Sequence, residues 1–389
     1  MSRTFARILP LWLVLFSFVT SNSMITPYLG LYVLSLGATT LLVGAAYATN
    51  SVVSFLGRLP ASSLADRYGN RLFIILGFAS NLIGMALYAL VPDANVVLLA
   101  RALQGVALAL FHPSVLSYLV RLGIAERKST EVVSYTSTGA ALGQSLGPAL
   151  GAALLVTGSF FNVFVSSLAI CALGTALALG SVKDERPHSS GMNQNASLLV
   201  RSKAMLNRQF SLTLYSRAAV SYVSGMVTVI IPLLATQELK FSQSGVGLLF
   251  TIAAVFNLVA RPFSGKLSSR IKEDRVLEMG IILSALAATL YLASFSPIVL
   301  WIAMMVYGLG LGIFIPSSIL NVDRTVSSES LTLGMGVMTM MIDLGMATGS
   351  AISILLLSSQ GYNGAFVIAA LVGFSGLFTQ RLSRLVTSP

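Results

Sequence analysis

Apolar stretches long enough to cross a bilayer recur from one end of this chain to the other, and that recurrence constrains its fold more than any other feature. The run Leu98 to Ser114, LLARALQGVALALFHPS, is typical: aliphatic on nearly every side, with a few polar residues set into it. A helix of about 20 such residues spans the roughly 30 Å hydrocarbon layer. Twelve spans are predicted, at 8–36, 40–64, 72–91, 95–120, 129–156, 160–180, 209–236, 243–268, 276–294, 297–321, 330–357 and 362–380. Apolar and polar residues do not alternate with period two, which argues against a membrane β-barrel. With 55% hydrophobic and 10% charged residues, and a mean hydropathy of +0.85, the chain has too few charges to clothe a soluble body of 389 residues. The basic, apolar start MSRTFARILPLWLVLFSFV reads as a first membrane helix rather than a cleaved leader, because the apolar run continues past Pro27 without a small-residue cleavage site. The one cysteine, Cys171, excludes an intrachain disulfide.

The net charge of +11 is explained by where the charges sit. Connectors on one face hold Arg67, Arg71, Arg127, Lys128, Arg270 and Arg275 among others, with Arg3 and Arg7 before them and Arg381 and Arg384 after; the opposite connectors hold Lys240. Basic connectors stay in the cytoplasm. The expectation is an integral protein of the plasma (inner) membrane with both termini cytoplasmic, in contact with lipid and with no need of nucleic acid as a partner.

The polar stretch Ser181 to Arg208 divides the chain into 1–180, a linker 181–208 and 209–389. Shifted by 203 residues, the chain meets itself: Arg58 falls on Arg261, Arg67 on Arg270, Gly105 on Gly308, and Phe111-His112-Pro113-Ser114 on Phe314-Ile315-Pro316-Ser317. In the fifth span the offset slips by one, so that Gly143 and Gly147 fall on Gly345 and Gly349. The expected fold is an all-α membrane protein, twelve transmembrane helices in two pseudo-symmetric six-helix bundles. Repeated helical blocks of this kind build transporters with a mid-membrane site between the blocks.

Against that background the stretch GRLPASSLADRYGNR, Gly57 to Arg71, crowds four charges into what reads as one connector. Arg58, Ser62, Asp66, Arg67, Gly69 and Arg71 resemble the loop between helices 2 and 3 of the major facilitator superfamily. Ser62 stands where that pattern has a glycine. The second copy restores the glycine at Gly265 and keeps Arg261 and Arg270, but has Ser269 in place of the aspartate. Topology alone accounts for the arginines but not for Asp66, and a carboxylate there can face a helix N-terminus or an arginine. The resemblance implies a latch that closes the cytoplasmic side. Arg101, Gln104 and Gly105 match a second pattern of the same family. Gly143, Gly147, Pro148 and Gly151 form GxxxGPxxG, which resembles the signature of its drug and metabolite antiporters; small residues at this spacing also let helices pack closely.

Asp343 is the one carboxylate predicted near the middle of a span. It is a candidate proton carrier, or else a structural partner for an arginine such as Arg101 or Arg217. Arg101 and His112, eleven residues apart on one face, are further candidates for coupling; Arg101 is alternatively a residue that snorkels to the interface. The resemblance implies that the first, fourth, seventh and tenth helices line the cavity, where Asn22, Thr26, Gln104, Arg217, Tyr222, Tyr307 and Phe314 lie, with Asn50 and Asn257 on neighbouring helices. No phosphate-cradling GxxxxGK[ST] is present, and no acid or histidine cluster suggests a metal or an enzyme. The functional expectation is a monomeric, cofactor-free secondary transporter moving a small organic solute by alternating access. The resemblance points to proton-coupled efflux; a uniporter, exchanger or uptake carrier for an anionic or neutral solute is the alternative, since no acid occurs in the first or fourth span.

Overall fold

The computed structural model describes residues 3–125, 129–156, 159–183, 208–268, 270–271, 273–325 and 331–387. The helices are α1 (Arg3–Ile25), α2 (Leu29–Ser35), α3 (Thr40–Tyr68), α4 (Asn70–Leu90), α5 (Ala94–Ala125), α6 (Ser129–Leu155), α7 (Phe160–Ser181), α8 (Arg208–Gln237), α9 (Gln243–Ser268), α10 (Glu273–Leu290), α11 (Pro297–Thr325) and α12 (Leu331–Thr387). Among the described residues there is no strand. Among the described residues, ten stretches are long and apolar enough to cross a membrane, one of them the 47 residues Gly336–Leu382. That stretch is broken at Gly361, whose φ of 71° and ψ of −170° lie outside the helical region. A positive φ is disfavoured for residues with a Cβ, so glycine is the residue that turns the chain there. The outer surface is lipid-like: Leu56, Leu90, Ile298 and Phe378 are exposed. Apolar residues in such positions are solvated by hydrocarbon.

Three boundaries differ from the sequence reading. The first span is interrupted: a 3-10 turn at Thr26–Tyr28 separates α1 from α2, where Pro27 has no N–H to continue the ladder. The ninth span likewise ends in a 3-10 turn, Tyr291–Ala293. The Gly57–Arg71 stretch is not a connector. Helix α3 runs through to Tyr68, and Gly69 alone, at φ 92°, separates it from α4. Pro60 is tolerated inside α3, and the charges read as a loop are mostly the last turns of a membrane helix.

The internal repeat is visible as recurring contacts. A side chain at Gly44 on α3 would meet Ile354 on α12, and one at Gly247 on α9 would meet Ala152 on α6. Gly105 lies against the carbonyl of Asn50, and Gly308 against that of Ala253. Gly77 packs on Phe111, and Gly280 on Phe314. The shared offsets mean that α3 with α12, and α9 with α6, are two copies of one helix crossing, and each copy joins the amino-terminal repeat (α1–α7) to the carboxy-terminal one (α8–α12).

Burial is distributed unequally between the two ends. At the end away from the basic connectors, one continuous apolar cluster joins both repeats, including Tyr28, Val33, Val43 and Tyr88 with Ile230, Leu234, Val246 and Phe366. Toward the basic face the described cores separate. One contains Phe18, Phe78 and Phe111, a second Phe210 and Met338, a third Val220, Ile281 and Phe314, each within a single repeat. The molecule is therefore sealed at the face opposite the basic connectors.

Candidate functional site

Three polar groupings lie inside this apolar frame, and each is built from helices that the repeat brings together. The first joins the two repeats. Arg58 sits on α3, ten residues before its C-terminal Tyr68, and its guanidinium grips Asp343 on α12. Nε pairs with Oδ2, Nη2 donates to Oδ1 at 3.1 Å, and Ser54 Oγ, one turn earlier on α3, donates to Oδ2 at 3.0 Å. Arg58 is 6% exposed and Asp343 5%. Burying two charges is costly unless they are paired and otherwise hydrogen-bonded, and two guanidinium contacts plus a hydroxyl meet that condition. The partner of Asp343 is therefore Arg58, not Arg101 or Arg217 as the sequence suggested. Sequence separation hid this pairing, because α3 and α12 meet only when the two repeats dock.

The second grouping lies in the amino-terminal repeat, and most of its members were expected. Arg101 on α5 donates from Nε to the Ala46 carbonyl at 3.2 Å and from Nη1 to Gln104 Oε1 at 2.9 Å. Its guanidinium carbon lies 5.4 Å from the centroid of the Tyr47 ring, a cation–π distance. Gln104 is the hub. Its Oε1 also accepts from Tyr88 at 2.9 Å, and its Nε2 donates to Asn22 Oδ1 at 3.3 Å. Asn50 donates to the Arg101 carbonyl at 3.3 Å, and Thr26 bonds back to Asn22. Arg101 thus faces inward at 7% exposure and does not snorkel. Tyr47 and Tyr88 were missed; each is an aromatic in an apolar run, and nothing local in the sequence marks its hydroxyl as a partner of α1 or α5. His112 does not join Arg101. It packs edge-on against Phe18 and Phe111.

The third grouping is in the carboxy-terminal repeat. Arg217 on α8 donates from Nη1 to Ser318 Oγ at 2.8 Å and lies 5.1 Å from the Phe314 ring centroid; its Nε is buried with no hydrogen-bond partner among the described residues. Arg261 donates from Nε to Asn257 Oδ1 at 3.1 Å. Tyr222 and Tyr307 are buried in the cluster that joins the repeats.

The expected gate is only partly within view. The side chains of Asp66 and Arg67, and the surroundings of Gly265, lie outside what is described. Arg71 donates to the Leu179 carbonyl on α7 at 3.4 Å, a contact within one repeat, and Ser62 bonds to the Arg58 carbonyl of its own helix at 2.8 Å. Arg270 is exposed. Arg58 stands apart from this group, buried in the cross-repeat pair. The GxxxGPxxG motif packs α6 on α1: Ser23 donates to the Gly143 carbonyl at 2.8 Å, Tyr28 to that of Pro148 at 2.7 Å, and side chains at Gly147 or Gly151 would run into Met24 and Tyr28.

A family model described as the Major Facilitator Superfamily matches residues 11–226 and 213–386. The multidrug resistance protein MdtG of Dickeya zeae (strain Ech586) is 28% identical over 388 residues, covering 96% of this chain and 93% of its own. MdtG of Escherichia coli O17:K52:H18 (strain UMN026 / ExPEC) is 24% identical over 377 residues, covering 92% and 90%. Among solved structures, the nucleoside transporter NupG superposes with a TM-score of 0.76 at 16% identity, covering 97% of this chain and 98% of that one. The human organic anion transporter MFSD10 gives 0.73 at 16%, covering 98% and 100%. The all-helical fold fits those matches, and the chain belongs to the Major Facilitator Superfamily, a transporter and not an enzyme.

Proposed function

We propose that this transporter is a proton-coupled exporter of small organic solutes in the inner membrane. The MdtG relatives, named multidrug resistance proteins, support export of drugs or metabolites. The basic connectors support cytoplasmic termini, so that the sealed face is the outer one. On this reading twelve spans form two six-helix bundles, 1–180 and 209–389, which rock about the site as a monomer without a cofactor.

The observation that carries the reading is the Arg58–Asp343–Ser54 cluster between the repeats. Asp343 is the proton carrier. A proton on its carboxylate cancels the charge that holds Arg58, and the α3–α12 crossing loses its charge-assisted hydrogen bonds. A ligand shifts a conformational equilibrium by its differential affinity for the two states. A proton that binds Asp343 only when the pair is apart meets that requirement. Arg58 is its reciprocal element, and the Arg101–Gln104–Asn22 network with Thr26 and Asn50 lines the cavity on the other repeat's side.

The test is intravesicular pH in proteoliposomes of known orientation, on adding pooled lipophilic cations, neutral drugs and organic anions. A substrate-dependent proton flux that disappears in Asp343→Asn is expected. A flux unchanged in Asp343→Asn refutes the assignment. The second reading, an exchanger or uniporter, is favoured by the lack of any carboxylate in α1 and α5. Counterflow in native protein without a proton signal selects it.

A further inference from the structure

The two copies of the cross-repeat helix crossing are chemically unequal at one place. The α3–α12 copy places Gly44 on Ile354 and Arg58 with Ser54 on Asp343; the α9–α6 copy places Gly247 on Ala152 and, at the carbonyl of Ala254, receives Ser145 Oγ at 3.2 Å. Continuing that register one to two turns along, Arg261 and Asn257 stand where Arg58 and Ser54 stand in the first copy. The position opposite them, equivalent to Asp343, is Ala141. The cation has been kept and its carboxylate replaced by a methyl group. Arg261 Nε takes Asn257 Oδ1 on its own helix instead, and no ion pair to Arg261 occurs among the described residues. Three residues further on, Ser264 bonds to Ser317 at 3.1 Å, next to the Ser318 that receives Arg217. Arg217 and Arg261 are thus two guanidinium groups of the carboxy-terminal repeat, and neither is paired with an acid among the described residues.

We propose that Arg261, with Asn257, is a receptor for the acid group of an organic anion, which takes the place that Asp343 fills on the other side of the pseudo-twofold. A guanidinium receives a carboxylate, sulfonate or phosphate through parallel N–H donors, and Ala141 offers no carboxylate of its own to compete for them. The inference deepens the proposed transport function by naming the substrate class. It does not require that transport be proton-coupled.

The test is ligand-induced thermal stabilisation of the purified full chain in maltoside micelles free of anionic lipid. The probes are 1-naphthoate and naphthalene-1-sulfonate, with 1-naphthamide as the uncharged control and 1-naphthylmethylammonium as the cation. The two anions are expected to raise the unfolding temperature and the amide and cation to leave it unchanged. Arg261→Gln is expected to weaken that response about tenfold or more in concentration, the loss of a hydrogen bond to a charged group. Arg261→Lys retains part of it. Ala141→Asp, which supplies the missing carboxylate, is expected to abolish it while keeping the protein folded, as read by its elution and its unfolding temperature without ligand. An anion response equal in native, Arg261→Gln and Ala141→Asp protein overturns the proposal, as does the absence of any anion response. Phosphatidylglycerol is the final arm: Arg261-dependent stabilisation by the lipid, with none by the soluble anions, replaces the substrate by a lipid headgroup and also overturns it. A proton flux unchanged in Asp343→Asn, with the Arg261-dependent anion response intact, refutes the coupling reading and leaves this site standing.

Discussion

Removing one partner of the Arg58–Asp343 pair strands the other as a charge in an apolar interior. The two side chains are 7% and 8% exposed, and between them they make two guanidinium–carboxylate contacts, with Ser54 as a third partner. Breaking a buried pair from one side costs about 3–5 kcal/mol. Removing both charges leaves a hydroxyl and some lost packing, on the order of 1–3 kcal/mol. The two single losses therefore sum to more than the double loss, and the cycle Arg58→Met, Asp343→Leu and the double variant is expected to show coupling of at least about 2 kcal/mol. Reversible unfolding in mixed micelles reads this directly. Arg58→Lys is not expected to restore stability, because an ammonium cannot engage both carboxylate oxygens in the same way. Additive single effects, within about 0.5 kcal/mol, refute the argument that this pair holds the repeats together.

Gly361→Ala forces a Cβ into the left-handed region and is expected to destabilise the protein by about 1–2 kcal/mol, read by thermal unfolding. Gly147→Leu pushes a side chain into Ser23 and Met24 of α1 and is expected to lose several degrees of stability or the folded protein altogether, as judged by monodisperse elution. Gln104→Ala removes the acceptor shared by Arg101 and Tyr88 and the donor to Asn22; a loss of about 2–3 kcal/mol is expected, with Gln104→Glu restoring the acceptor but not the donation to Asn22. In a Cys171→Ser background, cysteines at Gly44 and Ile354 are expected to cross-link, to arrest transport while the bond holds, and to release it on reduction, because the sealed end must part for alternating access.

The sequence by itself determined the class of fold and the repeat. Apolar length fixes membrane helices because unsatisfied backbone cannot cross hydrocarbon, and arginines, glycines and prolines recurring at one offset are not mimicked by chance matches of leucine and valine. Asn22, Thr26, Asn50 and Gln104, expected at the cavity from the resemblance, and Arg101, expected as a coupling candidate, fall into one hydrogen-bonded network, since a polar residue in a membrane helix needs an interior partner. Tertiary structure decided the pairings. Arg58 opens the charged stretch that reads as a connector, yet α3 continues to Tyr68 and holds Arg58 in the interior, where Asp343 arrives from a helix 285 residues away. Tyr47, Tyr88 and Ser54 carry no local signal, because a hydroxyl on an apolar helix acquires its meaning from the helix placed against it. The inequality between Asp343 and Ala141 was present in the letters, but it became chemical information only once the α3–α12 and α9–α6 crossings were seen to share a register. Periodicity and charge are local properties and survive in one dimension; a cross-repeat contact depends on docking two bundles, and so it exists only in three.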